Sequence, residues 1–257
     1  MTPATPSGFL AAGAPVGEVV MPRGQSVAGY RIGVIYIEDV WYPLLPGNIV
    51  NATTFDFPVL HRPVRGLSIG KLFGSGSVDV YDAVLAACEG LLADGVWAIS
   101  AACGFFGKYQ ARIRAQLPVP VALSSLLQIP WIRALTGGKI AVLTADSASL
   151  DAELFAACGI TDTDDLVIAG LQDAPQFSAI LEGRGSFDHE AVQAEVIAAA
   201  RSACADPAVS AILLECSDMP PYAAALQSAL AKPVFDFTTL IRYLHTTVSH
   251  RPYPGVI

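Results

Sequence analysis

The chain has 257 residues, of which 53% are hydrophobic and only 15% charged, with a formal net charge of −8. An acidic balance without a Lys/Arg cluster argues against nucleic acid or an anionic membrane surface as partner. No run reaches the roughly 18 to 20 uninterrupted apolar residues that span a bilayer, so small molecules or other proteins are the expected partners.

Residues 1–29 carry Pro3, Pro6, Pro15 and Pro22 among five glycines, and lack the basic start and apolar run of a secretory signal. They read as a flexible arm on a cytoplasmic protein. From Tyr30 onward, apolar runs of strand length cover residues 31–37, 95–102, 139–145, 165–171, 209–215 and 233–237. Helix-like segments at 78–95, 149–159 and 188–206 lie between them, with apolar positions recurring at three and four residues. Strands interleaved with helices predict an α/β fold with parallel sheet. The stretch "GSGS" (74–77) lacks the Lys-Ser/Thr ending of a phosphate loop and reads as an ordinary loop. "GGK" (137–139) reads as a turn before a second half.

His61, His189, His245 and His250 are scattered and show no metal-ligand spacing, so no metal site is expected. The five cysteines form an odd set with no CxxC pair, which argues for free thiols rather than a disulfide framework. Cys88, Cys158 and Cys204 fall in helical apolar patterns and read as core. Cys103 and Cys216 are different. Laid without a gap over residues 209–234, residues 96–121 match at nine of 26 positions, at an offset of 216 − 103 = 113. The strands "RIGVIYI" and "KIAVLTA" match as well, at an offset of 139 − 31 = 108. Two homologous α/β halves follow, each ending an equivalent strand on a cysteine.

In open parallel sheets, ligands bind beyond the carboxyl ends of the strands, where helix N-termini also favour thiolate over thiol. Two thiols facing one ligand suit proton exchange at a stereocentre, one as base and the other as acid. Asp218 can touch ligand or cap a helix, and Glu215 can hold a proton near Cys216 or simply end a strand.

"AACGF" (101–105) and "ECSDMPPY" (215–222), at the ends of duplicated strands, resemble the cofactor-independent aspartate/glutamate racemase superfamily. That superfamily includes hydantoin racemases, maleate isomerases and arylmalonate decarboxylases. The resemblance covers most of the chain from Tyr30 on. It implies two pseudo-symmetric lobes, each a mostly parallel sheet flanked by helices, with the active site in the cleft between them. The first lobe would be residues 30–127 plus 234–257 and the second 128–233. It further implies an isomerase without cofactor: a racemase or epimerase of a small carboxylate, with Cys103 and Cys216 catalytic. Gly104, Phe105, Ser217, Asp218 and Thr144 map to its carboxylate site, and Asn48 and Asn51 to its first-half loop. Gly-Phe and Ser-Asp after the two cysteines depart from the glutamate racemase pattern, which points to another substrate. A homodimer is implied too. A maleate-isomerase-like or hydantoin-racemase-like enzyme and a non-catalytic two-lobe binding protein are the alternatives.

Overall fold

The computed structural model describes residues 17–73 and 76–250. Residues 1–16 of the expected arm, Gly74 and Ser75 of the "GSGS" loop and residues 251–257 lie outside the described residues; residues 17–29 form no helix or strand.

Two four-stranded, all-parallel sheets form the frame. The first runs β2-β1-β3-β4, with β1 at Ile32–Asp39, β2 at Val59–Ser68, β3 at Ala98–Ala102 and β4 at Val121–Ala122. The second runs β6-β5-β7-β8, with β5 at Lys139–Thr144, β6 at Leu166–Gly170, β7 at Val209–Leu214 and β8 at Val234–Phe235. The central strands are almost wholly buried, as parallel strands covered on both faces must be, which is why they read as continuous apolar runs. The edge strand β2 reads otherwise: "VLHRPVRGLS" includes Pro63, which a parallel ladder tolerates only at its edge. Its periodicity does not announce a strand.

The helices are α1 (Ile69–Leu72), α2 (Tyr81–Ala93), α3 (Gln110–Gln116), α4 (Ile129–Thr136), α5 (Ala152–Ala157), α6 (Ser178–Glu182), α7 (His189–Ala203), α8 (Ala223–Leu230) and α9 (Phe237–Val248). Gly137, in the left-handed region at φ 67°, ends α4 and makes the expected turn before β5. Asp236 and Thr239 form a capping box that starts α9.

The register reproduces the internal repeat. Ile99 pairs with Val121 and Ile212 with Val234, and 212 − 99 = 234 − 121 = 113. Ile32 pairs with Ala98 and Ile140 with Ala211, which recovers the offset of 140 − 32 = 108 for the first strands. The boundaries differ in one respect from those expected. Val234 and Phe235 belong to the second sheet, and the chain returns to the first only with α9, whose Phe237, Leu240 and Ile241 pack with Ile32, Val34 and Ala98. The largest core cluster joins Ile35 and Ile99 of the first sheet to Ile140, Val142 and Leu213 of the second. One apolar layer therefore binds the two halves and holds the carboxyl ends of β3 and β7 together.

Candidate active site

Cys103 follows β3 and Cys216 lies two residues after β7, and both line one cleft of about 640 Å³, part of it open to solvent. Each cysteine leads into a short 3₁₀ turn, Gly104–Tyr109 and Pro220–Tyr222, before the helix that follows. Cys103 takes φ 154° and ψ 124°, a strained conformation for a residue with a side chain and one that tends to occur where a site demands it.

Gly104, Phe105, Ser217 and Asp218 line the same cleft, as expected. Phe105 is buried against Phe73, with ring centroids 4.3 Å apart. Gly104 is a glycine for a steric reason. A methyl group on it would overlap Oε1 of Glu215 and lie 2.8 Å from that residue's carbonyl oxygen. Gly104→Ala is therefore expected to destabilise the fold by about 1–3 kcal/mol, the usual cost of overpacking, as a fall in thermal midpoint. An unchanged midpoint would show that Glu215 can move aside.

Three expected residues stand apart from the cleft wall. Thr144 is buried, and its hydroxyl donates to Oε2 of Glu215 at 2.8 Å. Asn48 is buried behind the wall and donates from Nδ2 to Oδ1 of Asp218. Asn51 is a loop-forming residue: it donates to the Leu44 carbonyl at 2.8 Å and accepts from the Thr53 backbone at 2.9 Å. It does not reach the cleft. Nor is Asp218 a helix cap. Tyr42 donates to its Oδ2 at 3.4 Å and the Cys216 thiol lies 3.5 Å from the same oxygen. Tyr42 and Tyr36, which line the cleft after and within β1, are the residues that sequence reasoning missed. Aromatic residues at the carboxyl end of a central strand were the available signal.

The electrostatics correct a second expectation. Helix N-termini were expected to lower the thiol pKa values; burial instead pushes both well up. Glu215 and then Asp218 add repulsion at Cys103, and Asp218 and then Glu215 at Cys216. Backbone N–H groups of Phe105, in the first turn, and of Asp218, just before the second, oppose this without overcoming it. Burial also pushes Asp218 up to about 6, against the bonds from Cys216, Tyr42 and Asn48. Among the described residues, those that line the cleft include two carboxyls and no Lys, Arg or His. Among the described residues there is no cluster of metal-ligating side chains and no helix long and apolar enough to cross a membrane.

No family model matches the chain. A dimethylsulfoniopropionate lyase of Durusdinium sp. clade D is 33% identical over 225 residues, which cover 83% of this chain and 73% of that one. Dimethylsulfoniopropionate lyase 6 of Emiliania huxleyi is 35% identical over 239 residues, covering 88% of this chain and 61% of that one. The chain thus spans somewhat under two thirds to about three quarters of these two relatives. Among solved structures, a cysteine-substituted arylmalonate decarboxylase superposes with a TM-score of 0.55 at 19% identity, covering 86% of this chain and 96% of that one. Allantoin racemase from Klebsiella pneumoniae gives 0.55 at 16%, covering 89% and 96%. These show that the chain shares the fold of arylmalonate decarboxylase and allantoin racemase, the two-sheet α/β fold that the cysteine motifs implied. The racemase or epimerase activity expected from the same motifs is overturned, because the relatives similar in sequence over most of the chain are lyases. The isomerase class and the alternatives weighed beside it fall with it; an enzyme remains.

Proposed function

Because the chain belongs to the dimethylsulfoniopropionate lyase family, we propose that it splits dimethylsulfoniopropionate into dimethyl sulfide and acrylate by β-elimination in the cleft between its sheets. The observation that carries this reading is a buried thiol within reach of a carboxylate, in a cleft lined by no basic side chain among the described residues. A sulfonium cation fits such walls. Asp218 supplies opposite charge, and the faces of Tyr36, Tyr42 and Phe105 attract a cation.

The chemistry needs one base. Asp218 accepts the proton of Cys216, and the thiolate removes a proton from the carbon next to the substrate's carboxylate. The electron pair of that C–H bond becomes the C=C bond of acrylate. The C–S bond to the neighbouring carbon breaks with its pair on sulfur, and neutral dimethyl sulfide leaves. The substrate's proton ends on Cys216, and Asp218 resets by releasing its own to water. Without ligand the thiol is held protonated by burial and by its acidic neighbours. A bound cation replaces repulsion by attraction and favours the thiolate. Cys103, with no carboxylate in hydrogen-bond contact among the described residues, forms part of the cleft wall.

Incubation of the protein with dimethylsulfoniopropionate, followed by proton NMR, is expected to yield dimethyl sulfide and acrylate in equal amounts. Absence of both products at pH 7 to 8 would remove this reading.

A further inference from the structure

The scheme above leaves one acid of the cleft unused. Glu215 is fully buried, and its Oε2 accepts the Thr144 hydroxyl at 2.8 Å. Its Oε1 is buried without a hydrogen-bond partner among the described residues, packed on Gly104 where both residues line the cleft. A polar atom orphaned at that depth is costly unless something meets it. The residues around the cleft pose a matching need. A carboxylate entering it meets no Lys, Arg or His among the described residues, and these leave only neutral donors to hold it.

We propose that Glu215 binds the substrate's carboxylate as a neutral acid, donating a hydrogen bond from Oε1. This rests on the reading of the ligand as a carboxylate, and it gives the orphaned oxygen its partner. Glycine at 104 then serves to admit that oxygen to the cleft. Burial pushes Glu215 up to about 7; the Thr144 hydroxyl opposes this and Asp146 adds to it. The other titratable groups that face it are acids or thiols too: Cys103 after β3, Cys216 beside it in sequence and Cys158 after α5. No cationic group among the described residues there draws the proton off. A carboxylate brought against Oε1 raises Glu215's proton affinity further, so binding secures the donor it uses.

The sign of the pH dependence follows. Glu215 is a donor below about 7 and an anion above it, so affinity for a carboxylate falls as pH rises. Calorimetric titration with acrylate is expected to show wild-type affinity weakening by about 16-fold between pH 7 and 8.5, as the protonated fraction declines. Asp218, pushed up to about 6, is already ionised over that range. In Glu215→Gln the amide keeps the Thr144 bond and donates at every pH, so affinity is expected to stay level. Thr144→Val removes the bond that lowers Glu215's pKa, and is expected to move the weakening to higher pH. A level wild-type profile, or the same weakening in Glu215→Gln, would overturn the assignment. Dimethyl sulfide release by the wild type judges the lyase reading separately, because acrylate binding reports on Glu215 whether or not the sulfonium substrate is cleaved.

Discussion

Replacing Cys216 by alanine is expected to lower kcat/KM for dimethyl sulfide release by about 10²- to 10⁴-fold, the range a general base contributes. Replacing Cys103 is expected to cost only about tenfold, mostly in KM, as loss of a wall contact does. Initial rates of dimethyl sulfide release measured by headspace gas chromatography, with melting curves to confirm folding, separate the two. The reason lies in what the duplication does and does not repeat. At the offset of 113, Glu215 faces Ala102, Ser217 faces Gly104 and Asp218 faces Phe105. The cysteines are paired, but the acidic neighbours of Cys216 have no counterpart in the first half. A racemase needs a base on one face and an acid on the other, whereas an elimination that expels a neutral sulfide needs a base alone. Equal losses in the two variants would mean that Cys103 also moves a proton, and the one-base scheme would fail.

Much of the frame was legible because buried parallel strands leave a strong trace. The runs at 31–37, 139–145 and 209–215 are β1, β5 and β7 almost to the residue. The offsets found by matching letters reappear as ladder register, since a duplicated half keeps its hydrogen-bond pairing. The edge strand β2 escaped notice because one solvated side and Pro63 erase the apolar run. The cysteine positions were legible for the same reason as the strands that end on them. Their partners were not. Asp218 read as a ligand contact or equally as a helix cap, because Ser-Asp before Met-Pro-Pro suits one, and only the fold brings Asn48 and Tyr42, more than 160 residues away in sequence, onto its carboxylate. The choice between racemisation and elimination hangs on those contacts and on the relatives' chemistry, neither of which periodicity reports. Thiol basicity was misjudged likewise: an exposed helix start would favour thiolate, but these sulfurs sit in a desolvated cleft beside two acids.

Asp218→Asn puts the proton acceptor itself to the test. The wild-type kcat/KM is expected to fall as pH drops through about 6, because protonated Asp218 cannot take the thiol's proton. In the variant the rate is expected to drop by about 10²- to 10³-fold, within the range for a positioned acid or base, and the inflection near 6 to disappear. Stability should move the other way. A carboxyl whose folded pKa is raised gives its stabilisation below the unfolded value of about 4, and loses it as pH rises through the folded one. Above pH 6 the wild type therefore holds a charge that burial opposes, and asparagine does not. Asn48, on Oδ1, keeps an acceptor in the amide oxygen, while the Tyr42 hydroxyl, on the other oxygen, turns to accept from the new amide nitrogen, so the melting temperature of Asp218→Asn at pH 8 is expected to equal or exceed that of the wild type. A variant that melts lower and loses activity in proportion would make Asp218 a structural anchor. One that melts as high or higher yet barely turns over places the cost of its burial in the service of proton transfer.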